Sequence, residues 1–256
     1  MQIYVCVKHV PDTAAKITVV GGTGFAETCK FVINPYDEYG VEEAVQIVSR
    51  AGQGEVVIVT VGRENAVNTM RSALALGAHR GILVKTDAQF LDSNLTSQAL
   101  KKAIVQDGSP DIIFTGKQSI DSEGMQTPYR LAQALGLPVA TEVVDVKIND
   151  RRAVVEREIG GGSREVVEMP LPCVIGATKG LNEPHYPKLP DIMRAKKKEI
   201  RKIDIRALGV DIADGPTQIL KLDPVPERSR AKMLQGSTRE MVEELVRRLK
   251  EEAKVL

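Results

Sequence analysis

The sequence predicts an α/β fold: a doubly wound, mainly parallel sheet, followed by a C-terminal extended arm and a terminal helix. Three observations carry that prediction. Strand-length apolar runs alternate with helical apolar stripes through the first two-thirds of the 256 residues, the order that builds parallel sheets. Hydrophobic residues make up 43% of the chain while aromatics are only 4% and Trp is absent. The core must therefore be aliphatic, which suits strands buried on both faces. Residues 203–235 lose this rhythm and carry Pro216, Pro224 and Pro226, so they read as an arm.

The elements follow in order. Ile3–Val7 is an apolar run of strand length, ended by Pro11, with Asp12 and Thr13 in a loop. Ile17–Val20 and Thr28–Ile33 flank Gly21, Gly22 and Gly24 and read as a hairpin. Asn34-Pro35 punctuates the start of a helix over Tyr36–Ser49, with Tyr39, Val41, Ala44, Val45 and Val48 on one face. Val56–Val61 is continuously apolar, the mark of a strand covered on both sides. A helix over Glu64–Leu76, stopped by Gly77, precedes a strand at Gly81–Val84. Leu95–Val105 is helical, Asp111–Thr115 is a strand, and Ser122–Leu135 is a helix closed by Gly136. After residue 140, Val143–Ile148 and Ala153–Glu158 alternate around Asn149-Asp150, a hairpin signal. Glu165–Met169 and Cys173–Ala177 add short strands. Ser237–Glu252 is amphipathic, capped by Ser237 or Thr238, with Met241, Val242, Leu245, Val246 and Leu249 as its apolar stripe. Pattern alone allows this helix to pack on its own sheet or on another chain.

Bulk properties exclude several classes. A formal net charge of +1 argues against a dedicated nucleic-acid binder, although positive charge clusters at residues 194–202. Cys6, Cys29 and Cys173 are few, distant and odd in number, which points to a reducing compartment rather than a disulfide framework. They have no metal-ligand spacing, and His9, His79 and His185 lack an x-x-x-His partner. The N-terminus reads as a strand rather than a signal peptide. No apolar run approaches the roughly 20 residues that span a bilayer, so direct membrane insertion is not expected and the reading is a soluble cytoplasmic protein.

Three constellations are candidates for chemistry. The first is residues 111–130, where an apolar strand ends in a Gly- and Ser-bearing loop before a helix. Strand carboxyl ends and helix N-termini hold ligands and anions in open α/β sheets, so backbone amides around Ser122–Gln126 are candidates for a phosphate. Lys117 is not a P-loop lysine, because the Gly-x4 spacing before GKQS is missing. An ordinary βα loop is the competing reading. The second is Cys6–Lys16 with Asn34-Pro35-Tyr36-Asp37. Adjacent first and fourth strands would bring these residues to the loop at 116–127, where Asn34 and Asp37 would bond a ribose or base edge, or else merely cap their helix. Cys6, within an apolar strand, reads as a buried small hydrophobe rather than a nucleophile. The third is Glu156 and Glu158, on one strand face before three glycines that read as a turn. They are either a carboxylate pair or a solvated face.

Residues 181–200 stand apart. Three prolines exclude a continuous helix or an inner strand. Leu181, Tyr186, Leu189, Ile192 and Met193 beside the run Arg194–Lys198 suggest a docking surface.

Six segments, in order, make the chain resemble the β subunit of electron-transfer flavoprotein over nearly its whole length: VKHVPDTAAKI (7–17), INPYDEYGVEEAV (33–45), TMRSALALGAHRGILV (69–84), TGKQSIDSEGMQT (115–127), VEREIGGG (155–162) and LNEPHYPKLPDIMRAKKK (181–198). The resemblance implies a heterodimer with a larger α subunit. It implies one FAD held mainly by α, a structural AMP in β, and electrons passed from an acyl-CoA dehydrogenase-type flavoenzyme to a quinone oxidoreductase. This makes the chain an electron carrier subunit with no catalytic residues and no metal. By motif match the nucleotide contacts fall on Cys6, Asn34, Pro35, Tyr36, Asp37 and Val61, and on Gly116, Lys117, Gln118, Ser119, Ile120, Asp121, Ser122, Glu123, Gly124, Met125, Gln126 and Thr127. Thr13 aligns with the residue nearest the flavin, where some relatives have Tyr. Glu158 aligns with a carboxylate that pairs with α, displacing the carboxylate-pair reading. Leu189 aligns with the leucine that inserts into the partner dehydrogenase, with Arg194, Lys196, Lys197 and Lys198 beside it as a steering patch.

The resemblance thus implies a Rossmann-like nucleotide-binding domain over residues 1–200, including a recognition loop at 181–200, and an arm and helix over 201–256 that pack on α. Two departures stand out. Pro128-Tyr129-Arg130 replaces the usual Gly-Pro or Gly-Gln, at the phosphate end of the pocket. GPTQILKL at 215–222 looks closer to flavin-bifurcating relatives, which hold a second FAD in place of AMP. An adenine-nucleotide-using α/β enzyme is the alternative from a different class.

Overall fold

Residues 2–6 (β1) form an inner strand of a nine-stranded sheet in the computed structural model, which describes residues 1–226 and 231–256. The chain then runs through β2 (His9–Pro11), β3 (Val19–Val20), β4 (Gly24–Phe25), β5 (Phe31–Ile33), α1 (Pro35–Ala51), β6 (Glu55–Gly62), α2 (Ala66–Ala75), β7 (Arg80–Lys85), α3 (Ser93–Asp107) and β8 (Ile112–Gly116). It continues through α4 (Thr127–Leu135), β9 (Val139–Asn149), β10 (Arg152–Gly160), β11 (Ser163–Pro170), β12 (Cys173–Ala177), α5 (Leu189–Ala195), β13 (Ile200–Asp204) and α6 (Thr238–Glu251).

The strand order is β11-β10-β9-β12-β8-β1-β6-β7-β13. From β9 across to β13 every pairing is parallel; β10 pairs antiparallel with both β9 and β11. The predicted doubly wound α/β class is therefore observed. Side chains alternate between two cores. Ile3, Val5, Ile58 and Phe114 pack with α1 and α2 residues such as Val41, Met70 and Leu74. Tyr4, Val57, Val59 and Ile113 pack with Leu100 and Ile104 of α3 and Leu131 of α4. Each fully buried Ile, Leu or Phe contributes about 1.5–3 kcal/mol of apolar transfer, so the aliphatic sheet is the dominant source of stability.

Three expectations need correction. The hairpin around Gly21-Gly22 closes Val19–Val20 onto Gly24–Phe25, while Phe31–Ile33 pairs instead with His9–Pro11. Pro11 therefore lies inside a short edge ladder, where a missing N–H is tolerated. The helix expected from Ser122 starts at Thr127, with Pro128 in its first turn. Residues 123 and 125 adopt left-handed backbone (φ 49° and 52°), which cannot continue into a helix. The segment 181–200 is not wholly irregular: Leu189–Ala195 is a short helix, with Pro190 in its first turn where proline is accommodated. Ile200–Asp204 pairs with β7 as an edge strand.

The chain divides into two compact units, Met1–Leu222 and Asp223–Leu256. Within the first, two short 3-10 turns, Ile205–Leu208 and Ile212–Asp214, follow β13. The arm then reaches Asp92, which accepts a bond from Thr217 Oγ1 at 2.6 Å, and the hairpin turn, where Leu222 N donates to Gly22 O at 2.6 Å. Within the second unit α6 is capped by Ser237: Glu240 returns a carboxylate to the Ser237 N–H at 2.7 Å. Val242, Leu245 and Val246 of its apolar stripe are exposed. Residues 227–230 of the expected arm lie outside the described residues.

Candidate functional site

Because β1 lies between β6 and β8, the loops after all three strands open at one sheet edge. Cys6 ends β1, and Val61 and Thr115 are the penultimate residues of β6 and β8. Cys6 and Val61 pack with the α3 and α4 core, and Thr115, two residues beyond Ile113, faces the same side. The start of α1 meets the 116–120 stretch through Asn34 and Asp37.

Asn34 and Asp37 build the root of the loop. Asp37 Oδ1 accepts bonds from the Gly116 N–H and Asn34 Nδ2, each at 2.9 Å, and Oδ2 accepts from the Lys8 N–H at 2.7 Å. Asn34 Nδ2 also donates to Gln118 O at 2.8 Å, and its Oδ1 accepts from the Ile120 N–H at 3.1 Å. Neither side chain caps α1. Both tie the β8 loop to the start of α1 and the end of β1. Burial pushes the Asp37 carboxyl up to about 7, against the opposing pull of its N–H donors and the Lys8 ammonium. Gly116 is required here by space. A Cβ on it would lie 2.4 Å from Asp37 Oδ1 and 2.7 Å from Tyr36 Cβ.

Lys8 holds the middle of the loop. Its Nζ lies 2.7 Å from Asp121 Oδ1 and 3.2 Å from Ser119 Oγ, and Ser119 and Ser122 share a hydroxyl bond at 2.8 Å. The far end is held by Gln126 Oε1, which accepts from Ser93 Oγ at the start of α3 and from Arg130 Nε, both at 3.1 Å. Between these ties, residues 121–126 are exposed, with Glu123 and Met125 in left-handed backbone on either side of Gly124. Lys117 turns away: its Nζ meets Glu142 at 2.9 Å and lies 5.3 Å from the Tyr36 ring centre.

Thr115 Oγ1 is buried without a hydrogen-bond partner, and such hydroxyls call for a ligand or water. The exposed 121–126 stretch lies beside the Lys8–Asp121 ion pair. Burial, together with the nearby Asp37, raises the Cys6 thiol far above its ordinary range, which rules out a thiolate nucleophile. Among the described residues no His, Cys, Asp and Glu cluster could hold a metal, and no helix is long and apolar enough to cross a membrane. Sequence reasoning missed Lys8 and Thr115. The signal was present in principle, a cation just past one strand end and a hydroxyl closing another.

The other predicted residues lie elsewhere. Thr13 is exposed in the turn after β2. Glu158 is exposed on β10, opposite Arg164 of β11. In the 181–200 segment Tyr186 and Leu189 are 95% and 72% exposed, with Ile192 and Met193 also outward. The basic run divides. Arg194 pairs with Asp191, and Lys198 Nζ donates to Leu74 O at 2.9 Å and to Ala78 O, satisfying carbonyls at the end of α2. Arg194, Lys196 and Lys197 are exposed, and Lys198 is partly buried.

Comparison with known proteins adds a second line of argument. The sequence model of the electron transfer flavoprotein domain matches residues 23–208. The chain is 36% identical to the electron transfer flavoprotein subunit beta of Bacillus subtilis (strain 168) and 38% identical to the mitochondrial electron transfer flavoprotein subunit beta of Arabidopsis thaliana, each over the full length of both chains. It is 34% identical, over 98% of each chain, to the caffeyl-CoA reductase-Etf complex subunit CarD of Acetobacterium woodii.

Proposed function

This chain belongs to the electron transfer flavoprotein β-subunit family, and on that premise we propose that it pairs with an α subunit and binds a structural AMP at the β1, β6 and β8 loops. The complex carries electrons from acyl-CoA dehydrogenases or similar flavoenzymes to a quinone oxidoreductase. FAD, held mainly by α, supplies the redox chemistry. This chain's residues bind, shield and orient. Cys6, Val61 and Thr115 line the sheet edge, Asn34 and Asp37 set the root of the nucleotide loop, and Lys8 offers a cation to a phosphate. Thr13 lies near the flavin, Glu158 meets α, and the arm with α6 packs on α through its exposed apolar stripe. Leu189 and its neighbours dock the donor, with Lys196 and Lys197 steering.

The observation that carries the nucleotide reading is the buried, partnerless Thr115 hydroxyl at the point where three loops meet. The test is to purify the chain with its α partner and identify the nucleotides released on denaturation. One FAD and one AMP per heterodimer is expected. Release of FAD alone, one per heterodimer, would remove the β site from the account. Two FAD would favour the second reading, a flavin-bifurcating complex, to which the GPTQILKL segment at 215–222 points.

A further inference from the structure

Besides Asp37, helix α1 carries two further buried carboxylates. Glu42 and Glu43 are only 6% and 5% exposed, in a stretch flanked by the core residues Val41 and Ala44. A carboxylate in such a place is costly unless it is well partnered. Their partners explain them. Glu42 Oε2 lies 2.6 Å from His185 Nδ1 and accepts the His185 N–H at 3.3 Å. Glu43 Oε2 accepts from Asn182 Nδ2 at 3.1 Å, and the same amide group donates to Tyr39 O at 3.0 Å. Gln46 and Arg50 occupy the remaining carboxylate oxygens at 2.8 and 2.7 Å. The far end of the same segment is fastened to α2, where Arg71 Nη1 donates to Ala195 O at 2.7 Å beside the Lys198 tie already described.

We propose that Glu42 and Glu43 are positioning residues for partner docking: by clamping His185 and Asn182 to α1 they fix the near end of a segment whose middle, Tyr186 to Met193, holds its apolar side chains out in water. Rigidifying a binding segment in advance removes an ordering cost from the encounter. The inference rests on the reading of residues 181–200 as the docking surface. A purely internal role for these carboxylates would not require their partners to lie in the exposed segment.

The experiment uses the α/β complex carrying Glu42→Ala, Glu42→Gln or His185→Ala, with Leu189→Ala as control. His185 is half-exposed, so its truncation leaves the core intact even if Glu42→Ala fails to fold. Amide hydrogen exchange at residues 183–193 is expected to quicken roughly tenfold or more in Glu42→Ala and His185→Ala, as local opening becomes easier, and to be largely restored in Glu42→Gln, which keeps an acceptor. The concentration of an acyl-CoA dehydrogenase giving half-maximal electron transfer should rise about five- to tenfold, with the maximal rate and the bound nucleotides unchanged. Unaltered exchange in both clamp variants overturns the clamp. Faster exchange with unaltered half-saturation, while Leu189→Ala raises it, shows a clamp without a positioning role and overturns the inference, leaving the docking surface in place. If Leu189→Ala also leaves half-saturation unchanged, the docking reading itself fails, and the inference with it.

Discussion

Asp37 is the residue on which the candidate site turns. Its carboxyl joins three chain segments, and burial holds its pKa near 7, well above that of an unfolded Asp. The sign follows. Between about pH 4 and pH 7 the folded chain keeps a proton that the unfolded chain has released, so this group's contribution to stability falls as pH rises through that window. Asp37→Asn cannot titrate. The stability of wild type minus that of the variant, from denaturant melts across pH 4–8, should therefore decline with rising pH and level off above about 7; a constant difference would show that Asp37 titrates as it does in the unfolded chain. Gly116→Ala tests the same junction sterically. Its Cβ would require movement of Asp37 or of backbone, and we expect a loss of about 1–3 kcal/mol with faster nucleotide loss from the complex. Local pattern marked Asn34 and Asp37 as important but offered only a cap or a ligand contact. Their actual partners, Lys8, Gly116, Gln118 and Ile120, lie 29 to 86 residues away, beyond the reach of periodicity.

Long elements were legible because their apolar spacing is itself the cause of their burial; α1, β6, α3 and β12 lie within a few residues of the ranges that spacing predicts. Short ones were not. The Phe31–Ile33 strand was legible as a run, but its partner, His9–Pro11, is three residues long. The start of α4 was misplaced because Ser122 resembles a cap, whereas Pro128 marks the true first turn. In the docking segment the prolines signalled irregularity and concealed α5, whose first turn accepts one. Leu189 opens that short helix and is exposed. Leu189→Ala should slow electron transfer from the donor several-fold while leaving the released nucleotides as in wild type; stopped-flow reduction of the complex measures it, and unchanged rates would remove Leu189 from the interface.

Across the whole molecule positive and negative charge nearly cancel, at a formal +1, so electrostatic steering must come from local patches. With Arg194 paired and Lys198 turned inward, Lys196 and Lys197 are the residues proposed to steer. Replacing both with Gln should lower the association rate with an acidic partner surface at low ionic strength and make little difference at high salt, since screening acts over about 8–10 Å. Stopped-flow measurements at two salt concentrations check this. The two-ended fastening of residues 182–198 has a consequence for engineering. A segment held at both margins by internal bonds, with its centre free of the core, is a cassette. Exchanging residues 186–193 for those of a relative would transplant partner preference without redesigning the scaffold.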